Sequence, residues 1–156
     1  MLATLLRPAS RGSVRLTSSD PSDTPAFNLG FLSSPQDRIV LRSAVRLCMR
    51  IAEEMRLSGY DVSNFQAPKS LDNADVDPYI DGQSQSFFHY SSSCRMAPLD
   101  DLEGPGVVDN ELRVHGIPNL RLCDASVFPQ VPAAHLEAPV LVVAEKCADM
   151  IRRASL

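Results

Sequence analysis

The chain has 156 residues, 44% hydrophobic and 22% charged, with a formal net charge of −4. This is one domain's length with enough apolar material for a core, which excludes wholesale disorder. The acidic balance excludes a general nucleic-acid binder, which needs a basic surface to neutralise phosphates. No apolar run approaches the roughly 18 residues of a membrane-spanning helix. The seven glycines form neither G-x-G-x-x-G nor G-x-x-x-x-G-K-[ST]. Gly104 and Gly106 flank a proline in an isolated turn. The chain therefore carries no phosphate cradle of its own, and a nucleotide cofactor would be held mainly by something else.

Residues 1–19 contain no acid but hold Arg7, Arg11, Arg15 and several serines. That composition imitates a mitochondrial transit peptide, whereas Ser13–Thr17 alternates polar and apolar residues like a strand. Pro21, Pro25 and Pro35 mark loop chemistry over residues 20–36. A helix is expected over 35–57, with Ser34 as N-cap, Pro35 at the first position and Asp37 as a capping-box acid. Ile39, Leu41, Ala44, Val45, Leu47, Cys48, Ile51, Ala52 and Met55 form its wide apolar stripe. Arg46, Arg50, Glu53 and Glu54 fall on its solvated face, and Gly59 is the stop. After a loop over 60–71, Asp72 and Asn73 cap a second helix running to about residue 87, opposed by Pro78 and Gly82. Residues 88–106 read as irregular backbone. Short strands are expected at Gly106–Asp109, Leu112–His115 and Leu120–Asp124, separated by Asn110 and by Gly116-Ile117-Pro118-Asn119. A proline-interrupted loop over 129–137 leads to a last helix. Pro139 lies in its first turn, Val140, Leu141, Val143, Ala144, Cys147, Ala148 and Ile151 form its apolar face, and Arg152 and Arg153 lie in its last turn. Ala154-Ser155-Leu156 lacks the basic middle residue of a peroxisomal tripeptide.

Cys48, Cys94, Cys123 and Cys147 form no C-x-x-C, and Cys48 and Cys147 sit in apolar helical patterns as buried free thiols do. A zinc site from Cys94, His89, His115 and His135 has no ligand pair at structural-zinc spacing, so no metal is expected. Asp100, Asp101 and Glu103 read as a solvated acidic turn. No G-x-S-x-G supports a hydrolase triad. Of the three histidines, His89 and His135 lie on irregular backbone at element ends, where functional groups concentrate. An imidazole can take and return a proton near neutral pH. Taken alone, each also reads as a satisfied loop or core histidine, and His115, on a strand before Gly116, reads as structural.

Several segments in order resemble the C-terminal domain of the glucose–methanol–choline (GMC) family of flavin-dependent oxidoreductases. They are Pro8-x-Ser10-x-Gly12-x-Val14-x-Leu16 with Ser19-Asp20-Pro21; Phe88-His89-Tyr90-Ser91-Ser92-Ser93-Cys94-Arg95-Met96; Gly106-Val107-Val108-Asp109; Leu112–Gly116; Leu120–Ser126; and the helix Ala144–Ile151. The resemblance favours the strand reading of 13–17 over the transit peptide. It implies an α+β fold, an antiparallel sheet with flanking helices, plus a C-terminal strand and helix that would complete an FAD domain absent from this chain. Residues 1–156 would then be the C-terminal domain of a longer enzyme.

The resemblance also implies roles. His89 would take the hydroxyl proton of a small-molecule alcohol while hydride passes to the flavin N5, and its protonated form would stabilise negative charge during reoxidation. His135 would bond and orient the substrate oxygen. Phe88, Asp124, Ala125, Leu136 and Glu137 match positions that touch FAD. Ser92 and Ser93 stand where the family has Gly and Thr, and Ala97 where Gly is common; a serine at a position needing positive φ would be strained. Two other readings stand beside the alcohol oxidase or dehydrogenase: a truncated fragment, inactive alone or serving as an interaction module, and a relative performing lyase chemistry on cyanohydrins. No nucleic acid and no membrane is expected as a partner. Substrate and localisation are not encoded in this segment.

Overall fold

A computed structural model describes residues 1–154; of the C-terminal tripeptide, Ser155 and Leu156 lie outside the described residues. The chain divides into two compact units. One comprises Met1–Gly12 with Phe27–Phe87, the other Ser13–Ala26 with Phe88 to the end of the described chain.

The first unit is built on helix α1 (Pro35–Leu57) and helix α2 (Asn73–Gln83). Both bounds of α1 are those expected. Ser34 occupies the N-cap in extended conformation but makes no side-chain cap bond. Its own N–H donates to the Ser10 hydroxyl at 2.9 Å, and Asp37 does not close a capping box. Instead Asp37, only 2% exposed, accepts the Ala9 and Ser10 amides at 2.7 and 2.9 Å. The carboxylate thus fastens the preceding chain to the first turn of α1. At the other end Gly59, at φ 88°, donates to Arg56 O while Tyr60 donates to Met55 O. This is the paired-bond geometry of a glycine helix stop.

The charge pattern of α1 departs from the expectation. Arg46 is not simply solvated: its Nε donates to Leu71 O at 2.8 Å. Arg42 forks onto both Asp77 oxygens at 2.6 Å, and Arg38 reaches Asp81 at 2.6 Å. Arginines one helical turn apart therefore face the acidic side of α2, as the period of 3.6 places them. Val45 packs with Val76 and Ile80, but Leu47 and Ile51 of the expected stripe stay exposed. Helix α2 stops at Gln83 rather than near 87, because Gly82 and the Ser84-Gln85-Ser86 run that follows support no further turn.

The second unit holds the strand hairpin. Strands β3 (Arg113–Val114) and β4 (Ile117–Arg121) pair antiparallel, with Arg113 opposite Arg121, Val114 opposite Ile117 and an irregularity between. The break expected at Ile117-Pro118-Asn119 is in fact strand. The turn is confined to His115-Gly116, where Gly116 supplies φ 81°, and Pro118 is tolerated because a two-stranded ribbon has unpaired edges. Gly106–Asp109 contributes only the bridge residue Val108. Strands β1 (Ser13–Arg15) and β2 (Ala26–Asn28) are exposed throughout. No sheet among the described residues exceeds two strands, so the fold is mixed α and β with small sheets rather than one broad sheet. Helix α3 (Glu137–Ala154) closes the chain. Its Cys147 joins Val108, Leu112 and Val127 in the core. Leu141 and Ile151 of the expected apolar face remain 59% and 48% exposed, and Val142, outside that face, is 68% exposed. No helix among the described residues is long and apolar enough to cross a membrane.

Candidate active site

His89 and His135 converge within the second unit. His89 Nε2 lies 3.1 Å from His135 Nδ1 although the residues are 46 apart in sequence. The rings meet edge to face, centroids 5.2 Å apart at 77°. Two imidazole nitrogens at that distance hold one proton between them, one donating and the other accepting.

Backbone bonds make the meeting possible. Ser92, Cys94 and Met96 donate in succession to the carbonyls of Ala125, Ser126 and Val127 at 3.1, 2.9 and 3.0 Å. The segment after His89 is thereby laid along a short 3₁₀ turn, Ala125–Val127. Asp124 caps that turn, its carboxylate accepting the Ser126 amide at 2.7 Å. His135 stands two residues before α3, whose early turn begins with Val140 N donating to Leu136 O at 2.9 Å.

The remaining expected positions sort by exposure. Phe88 is 81% exposed. Asp124 and Glu137 are exposed and Ala125 is half-buried, while Leu136 is buried. His115 does not join the pair; its Nε2–H donates to the Ala97 carbonyl at 2.9 Å, a structural role. No group of three or more His, Cys, Asp or Glu able to hold a metal occurs among the described residues. The acidic turn is more ordered than its composition suggests. Asp101 accepts the Glu103 amide and the Arg95 guanidinium, and these two bonds hold its carboxyl below the usual range.

Sequence reasoning marked Ser92 as a position where positive φ would strain a serine, and missed the positive φ of Phe88 and the burial of two serine hydroxyls. Phe88 and Ser92 both adopt positive φ, 59° and 67°, on either side of His89. The Ser91 and Ser92 hydroxyls are buried without a hydrogen-bond partner among the described residues. Strained backbone and orphaned hydroxyls cluster where structure serves something other than stability. The Gly-to-Ser departure at 92 was the one visible sign.

Residues 8–144 match the C-terminal domain of the GMC oxidoreductases. An oxygen-dependent choline dehydrogenase of Vibrio vulnificus (strain YJ016) is 36% identical over 93% of this chain, and one of Paraburkholderia xenovorans (strain LB400) is 36% identical over 94%. The chain spans only 26% of the length of each of these relatives. Among solved structures, a formate oxidase of Aspergillus oryzae RIB40, studied for its FAD modification, superposes with a TM-score of 0.85 at 33% identity, over 96% of this chain and 26% of that one. Pyridoxine 4-oxidase from Mesorbium loti superposes at 0.81 and 29% identity, over 95% of this chain and 28% of that one. Motif order, fold and the extent of these matches agree: the chain belongs to the GMC oxidoreductase family, through its C-terminal domain.

Proposed function

We propose that this chain is the substrate-side portion of an FAD-dependent oxidoreductase acting on the CH–OH group of an alcohol. The observation that carries the reading is the 3.1 Å His89–His135 pair, set beside an exposed aromatic at Phe88. The residues fit one end of FAD. An exposed apolar ring and an imidazole pair suit the wall of an isoalloxazine, and Asp124, Ala125, Leu136 and Glu137 lie at the ends of the elements that carry the pair. The sequence holds no glycine-rich motif of the kind that cradles a pyrophosphate. When bound, FAD supplies the hydride acceptor.

The chain's own residues supply proton handling and orientation. With the shared proton on His135 Nδ1, the His89 Nε2 lone pair is the acceptor. An alcohol hydroxyl entering between the rings keeps both roles: it donates to His89 Nε2 and accepts from His135 Nδ1–H. His89 then takes the hydroxyl proton, and the imidazolium so formed stabilises negative charge nearby. His135 holds the substrate oxygen so that the carbinol hydrogen has one orientation. The names of the relatives, choline dehydrogenase and pyridoxine 4-oxidase, attach alcohol-bearing compounds to this family and support the substrate class.

The test is anaerobic mixing of the whole flavin-loaded protein with choline, pyridoxine and a benzylic alcohol. His89→Ala is expected to keep the bound-flavin absorbance while its bleaching by the alcohol slows by roughly 10²–10⁴-fold. Bleaching at the parent rate overturns the assignment. The chain's share of its relatives, 26%, together with the missing phosphate cradle, favours inactivity of the isolated 156 residues. Stoichiometric flavin retained by the isolated chain contradicts that.

A further inference from the structure

The two nitrogens that share a proton are also a pair of metal-ligand atoms. Neutral imidazole suits zinc, copper and nickel, and binds them through either ring nitrogen. His89 Nε2 and His135 Nδ1 lie 3.1 Å apart. An ion about 2.0–2.1 Å from each nitrogen would see them at an angle of about 100°, between the square-planar and tetrahedral values. The rings cross at 77°, so they can take adjacent ligand positions without stacking face to face. His135 is exposed and His89 only half-buried, which gives a hydrated ion access. His115 takes no part, since its Nε2–H is held by the Ala97 carbonyl.

We propose that His89 and His135 form a two-nitrogen chelate for a divalent cation of the zinc–copper class. No third His, Cys, Asp or Glu completes a ligand set among the described residues. Water therefore fills the remaining positions, and the site is open and reversible rather than structural. In the hydrogen bond the two nitrogens face each other. To aim both lone pairs at one ion, each ring turns about 40° off that line. The shared proton leaves its facing nitrogen for the other nitrogen of the same ring. Two N–metal bonds form, two waters leave the ion, and both rings stay neutral. Magnesium is not taken, because it prefers oxygen ligands and gives up water reluctantly.

The chelate stands on the separation and exposure of the nitrogens, not on the flavin reading. Its consequence for catalysis does rest on that reading. An ion bonded to both nitrogens leaves neither to accept from or donate to an alcohol, so metal and alcohol exclude each other.

The experiment is titration of the whole flavin-loaded protein with zinc chloride by calorimetry. One site is expected that is lost in His89→Ala and in His135→Ala, both checked for bound-flavin absorbance, and kept in His115→Ala. Magnesium chloride should give no such site. Cupric ion on the unaltered protein, followed by pulsed electron paramagnetic resonance, should show two coordinated imidazoles. A zinc site that survives in either variant, a single imidazole on copper, or equal binding of magnesium overturns the proposal. Zinc at saturation is also expected to stop bleaching of the flavin by alcohol. Zinc bound to both histidines with bleaching undiminished would leave the chelate standing and overturn the catalytic reading of the pair.

Discussion

Ser92 combines a left-handed backbone, φ 67°, with a buried hydroxyl that lacks a partner. Each is a cost that glycine lacks, about 1 kcal/mol for the backbone and about 1–3 kcal/mol for the orphaned hydroxyl. Ser92→Gly is therefore expected to raise stability by about 1–2 kcal/mol after the extra entropy of glycine in the unfolded chain is subtracted, measured by urea unfolding; a destabilised variant contradicts the strain argument. Asp37 is the opposite case. Burial works to raise its carboxyl, but the Ser10 hydroxyl and the Ala9 and Ser10 amides outweigh it, so the group lies below its ordinary 3.8. A carboxyl depressed on folding binds fewer protons folded than unfolded, so stability rises with pH through that window. Its contribution is complete above about pH 4 and drains away as pH falls through the folded value. Asp37→Asn, which leaves one buried amide without an acceptor, should cost about 1–3 kcal/mol near neutral pH and flatten the acid limb of the unfolding midpoint against pH. The histidines are legible in the sequence because they are few and sit at element ends. The orphaned serine hydroxyls are not, because burial of a hydroxyl is decided by residues far along the chain.

Glycines separate two kinds of constraint at the level of elements. A Cβ on Gly106 would lie 1.8 Å from Ala97 O, whereas on Gly116 it would meet nothing within 4 Å. Gly116→Ala is expected to cost only the left-handed backbone, about 1 kcal/mol. Gly106→Ala must push two backbone segments apart and should cost about 3 kcal/mol or more; equal unfolding midpoints for the two variants would refute the packing argument. Helix α1 is legible to the residue because its signals are local: Pro35 at the start, Gly59 at the stop and apolar periodicity between. Strand β4 is not, because Ile117-Pro118-Asn119 carries turn residues and only pairing with Arg113–Val114 makes it strand. The same limit applies to the faces of α1. Periodicity marks its apolar stripe, but Asp77 and Asp81, from a different element, decide that Arg38 and Arg42 turn inward.

Exposed apolar side chains mark the molecule as a whole. Leu47 and Leu57 of α1 are 57% and 73% exposed, and Val142 of α3 is 68% exposed. Exposed apolar side chains on a helix face call for cover. The isolated chain is expected to bind an apolar-surface dye and to self-associate, and to lose both properties as part of the whole protein; a dye-silent monomer would show that these faces need no cover. The family is legible from the ordered motifs, but the number of strands is not, since a sheet's width depends on chain that a local pattern does not contain. The two histidines, by contrast, belong to one unit, joined by the succession of amides from Ser92 to Met96 bonded to Ala125–Val127. The entropy of closing the 46-residue interval between them is met when that unit folds, not when a ligand arrives. Under the proposed function, preorganisation of this kind leaves binding free energy for orienting substrate instead of assembling the pair.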